Sequence, residues 1–171
     1  MTVTVGVSIA IPEPYGEFLR EQRRAFGDLA ADRIPSHITL APPLVIEPHQ
    51  TESLAEDLAE LAQVCEPFRV RLLGTGTFRP VSPVVFVAIS EGIAQIEMLA
   101  EGVLHAVEAP QADFPFHPHV TVAHNVDDEV LDLALRELRD FECEFEVDAI
   151  HLYVDDPESG WTPTHTFTFG T

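Results

Sequence analysis

His37-Ile38-Thr39-Leu40 and His119-Val120-Thr121-Val122 are two copies of one pattern: a histidine, a β-branched residue, a threonine and an aliphatic residue. They lie 119 − 37 = 82 residues apart, close to half of a 171-residue chain. Residues two apart in a strand face the same way. Read as strands, His37 and Thr39 share one face while Ile38 and Leu40 turn to the core. His119 and Thr121 stand in the same relation to Val120 and Val122.

Each copy occupies the third place in a repeated series of elements. In the first half, Val3, Val5, Val7, Ile9 and Ile11 alternate with small or polar residues, the period of a half-buried strand that Pro12 and Pro14 end. Tyr15, Phe18, Leu19, Gln22 and Phe26 then recur at helical spacing, with Arg20, Arg23 and Arg24 on the other side. Residues 36–40 read as a short strand stopped by Pro42-Pro43. Leu54, Leu58 and Leu61 mark a helix behind the capping candidates Thr51 and Ser53. Residues 68–78 alternate again, and Gly74 and Gly76 mark a bulge or bend.

The second half repeats the order. A strand at 84–89 precedes a helix carrying Ile93, Ile96, Ala100, Val103, Leu104 and Val107. A strand at 116–123 precedes a helix carrying Val130, Leu131, Ala134, Leu135 and Leu138, with Asp127 as its cap. Strands at 145–154 and 164–169 close the chain. Strand–helix–strand–helix–strand thus occurs twice. The expectation is an α+β fold, one domain over 1–171 with two pseudo-symmetric lobes of roughly 1–80 and 81–171, with exchange of a terminal strand left open. Each lobe is expected to be an antiparallel sheet with helices on its outer face, the two His-x-Thr pairs facing a central cleft. The turn Arg79-Pro80-Val81-Ser82-Pro83 is too short to free two domains.

Composition narrows the chemistry. All nine cations are arginine, so a Schiff-base lysine, a Walker lysine and a lysine–nucleotide ligase intermediate are excluded. A formal charge of −20 argues against long duplex nucleic acid, which needs clustered cations to release counterions. The two cysteines, Cys65 and Cys143, lack metal or redox spacing and read as buried free thiols. No run reaches the roughly 18 apolar residues of a membrane span, and no basic segment precedes the first apolar stretch. A cytoplasmic monomer without a membrane partner or cofactor is expected.

Two imidazoles and two hydroxyls converging on one volume suit phosphodiester cleavage. One histidine takes a proton from the attacking oxygen and the other gives one to the leaving oxygen, since imidazole titrates near the operating pH. Thr39 and Thr121 would donate to the non-bridging oxygens, where charge accumulates. This arrangement requires no metal.

With SHITL at 36–40 and FHPHVTVAH at 116–124, the chain resembles the two-histidine phosphoesterase superfamily, and within it the bacterial 2'-5' RNA ligase and cyclic phosphodiesterase group. Pro42-Pro43, Pro118 and the final stretch from Trp161 to Phe169 add to the resemblance, which covers essentially the whole chain. It implies a duplicated α+β fold with an open cleft and hydrolysis of 2',3'-cyclic phosphodiesters, commonly to a 2'-phosphate. In some members it implies reversible 2'-5' joining of RNA ends. It carries the acid/base pair onto His37 and His119 and the phosphate-holding hydroxyls onto Thr39 and Thr121. One departure is Ala123-His124, where many relatives place an arginine. The acidity and lack of lysine favour a small cyclic nucleotide, an ADP-ribose cyclic phosphate or a short RNA end as partner.

Other residues enter as candidates for the cleft: His117, His124, His151, Tyr153, Arg33 and Phe116. His117, His119 and His124 form an H-x-H-x₄-H pattern that hints at a metal, but no acidic or cysteine ligand stands beside them on that face, and His117 reads as a rim residue. Phe114 and Phe116 are candidates for stacking on a base, and core packing competes with that role. His165 is a further cleft candidate that reads first as a core or surface residue, and Arg79, whose guanidinium suits a phosphate fork, reads first as a solvated surface residue. The competing functional expectations are a non-catalytic phosphate- or nucleotide-binding module and, on the three histidines alone, a metal-dependent hydrolase.

Overall fold

The alternating apolar run at the N-terminus forms strand β1 (Val3–Ala10) in the structure, a computed structural model that describes residues 1–110 and 115–170. The chain continues through helix α1 (Tyr15–Ala25), a 3₁₀ turn (Leu29–Asp32), β2 (His37–Ile46), α2 (Gln50–Gln63), β3 (Phe68–Thr77) and β4 (Val84–Glu91). It ends with α3 (Ile93–Ala106), β5 (His119–His124), α4 (Asp128–Glu137), β6 (Glu142–Val147), β7 (Ala149–Asp156) and β8 (Gly160–Thr168). The strands make two four-stranded antiparallel sheets, ordered β2-β1-β7-β8 and β5-β4-β3-β6. This is the expected α+β architecture. β2-β1 of one sheet and β5-β4 of the other take equivalent places, as the sequence repeat requires.

The lobes do not divide at residue 80. β3, from the first half, pairs with β4 and β6 of the second, while β7 and β8 return to pair with β1 and with each other. The exchange involves three strands and is wider than a single terminal strand. It breaks the 145–154 stretch at Asp148, sending β6 and β7 to different sheets. The phase of burial explains the break: Cys143, Phe145 and Val147 are buried at odd positions, Ile150 and Leu152 at even ones. A one-residue slip turns every following side chain to the other face, so one straight strand cannot bury both sets.

Pro42-Pro43 does not stop β2. The register passes from Val5↔Leu44 to Val7↔Ala41, so both prolines fill a bulge opposite Gly6. β2 is an edge strand and both prolines are exposed, which is where a missing N–H is tolerated. The helix caps also differ from expectation. α2 starts one residue before Thr51, with His49 at the cap, and Asp127 caps α4 by position without a side-chain hydrogen bond. Cys143 is buried, but Cys65 is only half-buried; both are free thiols.

Leu54, Leu58 and Ala62 form the buried stripe of α2, which packs on β7 and β8. Leu131 and Ala134 do the same for α4 against β3, β4 and β5. The first helix of each half crosses over: α1 packs against β5 and α3 against β2. β2 and β5 also touch each other, so both His-x-Thr strands lie at the seam between the lobes. Among the described residues no helix is long and apolar enough to cross a membrane.

Candidate active site

The two motif strands begin at their histidines and keep the predicted alternation. Ile38, Leu40, Val120 and Val122 are buried, and His37, Thr39, His119 and Thr121 are half-buried. Both rings are pinned in the same way. His37 Nδ1 lies 2.8 Å from the Pro35 carbonyl oxygen, and His119 Nδ1 lies 2.7 Å from the carbonyl oxygen of His117. A carbonyl can only accept, so Nδ1 carries the hydrogen in each ring, and Nε2 of the neutral imidazole keeps a lone pair for chemistry.

Burial pushes the His37 imidazole below its ordinary value. Its hydrogen bond to Pro35 opposes that shift, and the positive charges of Arg23 and His119 add to it. Burial likewise lowers His119, opposed by the His117 carbonyl and reinforced by the charge of His117. Both rings are therefore biased to the neutral form.

The two sheets surround their histidines differently. Phe78 meets His119 edge-on, with ring centroids 4.9 Å apart at 88°, and Phe86 lies 5.4 Å from the same ring. Phe86 reaches that position by lying across Gly76, where a Cβ would come within 2.6 Å of its ring. Around His37 the sheet is instead open. A recess of about 100 Å³ is lined by Gly6, Ser8, His37, Thr39, Tyr153 and Trp161, among others. His119 and Thr121 do not line it. Ser8 stands opposite Thr39 on one side and His151 on the other, and His151 stands opposite Thr166, which carries a polar row across the sheet.

The remaining candidates divide. Tyr153 is buried on the recess wall, and burial pushes its phenol up. His151 is half-buried with Nδ1 3.1 Å from Thr166 Oγ1, and burial lowers its pKa. His117 is exposed just before β5, its ring centroid 6.4 Å from that of His119. His124 sits at the far end of β5, separated from His117 by the whole strand. Among the described residues no group of three or more His, Cys, Asp or Glu is placed to hold a metal ion. Arg33 is exposed and turned to the β7–β8 hairpin, where Nη2 donates to the Asp156 carbonyl oxygen at 3.2 Å and pairs with Asp155 at 3.7 Å. Phe116 is exposed ahead of β5, His165 is exposed on β8, and Phe114 lies outside the described residues. Arg79 is held by Asp132 at 2.8 Å.

Arg23 is the main departure from the sequence reading. Helical spacing places it on the outer side of α1, yet it is buried beside Asp28, with Nε donating to Asp28 Oδ2 at 2.7 Å. A signal for this exists in the sequence: Leu19 and Arg23 are four apart and so share one helix face. Phe18, expected on the inner side, is 43% exposed and stacks on Phe141 at 5.5 Å.

Residues 11–158 match the family described as the 2'-5' RNA ligase superfamily. Proteins of Bacillus cereus (strain AH820) and Bacillus mycoides (strain KBAB4), named provisionally as phosphoesterases, are each 29% identical over 139 residues, covering 80% of this chain and 80% of theirs. Among solved structures, Escherichia coli LigT complexed with NADP+ aligns over 100% of both chains with a TM-score of 0.68 at 20% identity. LigT complexed with 3'-AMP aligns over 100% of both chains at 0.66 and 18%. A protein of Thermus thermophilus aligns over 97% of both chains at 0.64 and 22%. These structural likenesses establish a shared fold.

Proposed function

Because this chain belongs to the 2'-5' RNA ligase superfamily, we propose that it is a metal-independent phosphodiesterase that opens a 2',3'-cyclic phosphate on a nucleotide or short RNA end, with His37 and His119 as its acid/base pair. The observation that carries this reading is the matched pinning of the two rings. Each donates Nδ1–H to the carbonyl two residues upstream, on adjoining strands.

In the proposed reaction one neutral imidazole takes a proton from water at Nε2. The water oxygen bonds to phosphorus while the bond to one ribose oxygen breaks. The other ring, entering as imidazolium, delivers its Nε2 proton to that leaving oxygen. Thr39 and Thr121 donate to the non-bridging oxygens as charge builds there. The open recess beside His37, with Tyr153 and Trp161 on its walls, suits the nucleoside portion, since aromatic faces stack on any base. The LigT structures named with 3'-AMP and NADP+ support a small nucleotide partner. Joining of 2'-5' RNA ends is the same ring opening with a 5'-hydroxyl in place of water: its oxygen bonds to phosphorus, the base takes its proton, and the 3'-oxygen leaves with the proton from the acid.

The test is a panel of nucleoside 2',3'-cyclic phosphates followed by phosphorus NMR, which also identifies the bond broken. Turnover is expected to fall by about 10²–10⁴-fold in His37→Ala and in His119→Ala while circular dichroism stays native. No turnover across the panel, or full turnover in either folded variant, contradicts the proposal.

A further inference from the structure

We propose that Arg23, oriented by Asp28, is an anion fork of this site, offering its two terminal nitrogens to the phosphate worked on by His37 and His119. The inference rests on the phosphodiester reading above and adds a residue to it.

Arg23 and Asp28 are the charged residues in the buried class, 8% and 6% exposed, among the described residues. Asp28 spends its acceptors on placement. Oδ2 receives Arg23 Nε at 2.7 Å and the backbone N–H of His124 at 2.9 Å, and Oδ1 receives the backbone N–H of Ala30 at 2.9 Å. One carboxylate thus ties α1 and the 3₁₀ turn to the end of β5, the strand that carries His119 and Thr121.

The guanidinium is only half used. Nε is its one hydrogen-bonded nitrogen, and neither Nη bonds to a described residue. Arg71 Nε is the one fully buried, unpartnered side-chain polar atom among the described residues, so the Arg23 tips reach solvent. Buried donors are almost always paired. A fixed arginine whose outer N–H groups keep solvent contact and have no protein partner among the described residues is free to receive an oxyanion, and its planar fork matches phosphate bidentately.

Its position fits. α1 lies against β5, and β5 against β2, which starts at His37. The charge of Arg23 also acts on His37, disfavouring its protonation together with the charge of His119. By contrast Arg24, Arg33, Arg69, Arg71 and Arg79 are committed to carboxylates at the surface. In a chain of net charge −20, one fixed cation at the seam gives an anionic substrate a local place to bind.

Inorganic phosphate is the probe. It is titrated into the ¹⁵N-labelled full chain while the arginine side-chain signals and the rings of His37 and His119 are followed by NMR. The Arg23 signals are expected to shift saturably. Arg23→Gln is expected to bind phosphate at least tenfold more weakly and to titrate His37 at higher pH, and Arg23→Lys to recover part of the affinity. A purely structural ion pair would lower the melting temperature and leave the phosphate affinity and His37 titration of the folded protein unchanged; that result overturns the proposal. So does an unmodified chain whose Arg23 signals ignore phosphate, a measurement that decides the matter even if the glutamine variant does not fold. Cyclic-phosphate turnover with no Arg23 response rejects the fork alone, whereas an Arg23 response without turnover supports the fork and rejects the phosphodiesterase reading.

Discussion

An imidazole serves as acid or base when one ring nitrogen is held and the other is left free, and this chain builds that condition twice. The carbonyls of Pro35 and His117 hold Nδ1 of His37 and His119. Burial then lowers both rings below the ordinary value of about 6.5. The base loses activity when it is protonated and the acid when it is deprotonated, so both limbs of the kcat/KM profile for cyclic phosphate are expected below about pH 6.5. The two apparent values belong to the pair and not to either ring. A maximum above pH 7 contradicts the assignment. Thr39 and Thr121 are half-buried on the same faces as their histidines. Thr121→Val keeps the shape and removes the donor, so kcat is expected to drop by about 10²-fold with melting temperature nearly unchanged. An unchanged kcat removes Thr121 from the reaction. The histidine pair is legible in the sequence because strand alternation needs only a residue's neighbours. Arg23 is hidden there because a charged residue on a helix ordinarily faces water, and its partner Asp28 lies beyond the helix end.

Among the elements, α1 and β5 depend on one another through Asp28. Three donors, one each from α1, the 3₁₀ turn and β5, meet its carboxylate. Removing one partner of a buried pair leaves the other charge unpaired in the interior. Asp28→Ala is therefore expected to cost about 3–5 kcal/mol in urea denaturation. A loss below about 1 kcal/mol would mean that the pair is solvated in solution. The strands show how position in a sheet overrides local punctuation. Pro42-Pro43 reads as a stop, yet β2 runs through it because an edge strand with a bulge needs no N–H from either residue. The 145–154 stretch reads as one strand, yet its apolar phase slips at 148–149 and the chain changes sheets there. That slip is visible in the residues; which sheet each part joins is not.

At the scale of the whole molecule the two halves are interleaved. β3 completes the second sheet, and β7 with β8 completes the first. Fragments made by cutting in the Arg79–Pro83 turn are expected to be unfolded alone and to regain native circular dichroism and cyclic-phosphate turnover only when mixed. Independent folding of either fragment contradicts the interleaving. Stability is also expected to depend on pH through His37, His119 and His151, whose folded values are all lowered by burial. Below the unfolded value of about 6.5 the unfolded chain takes up protons that the folded chain refuses, so their contribution is complete above that pH and lost as pH falls through it. Melting temperatures from pH 8 to 5 are expected to drop less in a His37→Gln, His119→Gln double variant than in the unmodified chain. Equal slopes would mean that these rings titrate normally in the fold. The amino-acid sequence by itself determined the duplicated α+β plan and the faces bearing His37, Thr39, His119 and Thr121, because hydrophobic periodicity is a local property of each segment. Only the tertiary structure decided the exchange of strands, the burial of Arg23 against Asp28 and the open recess on one side, because each depends on which distant segment lies across a sheet or a seam.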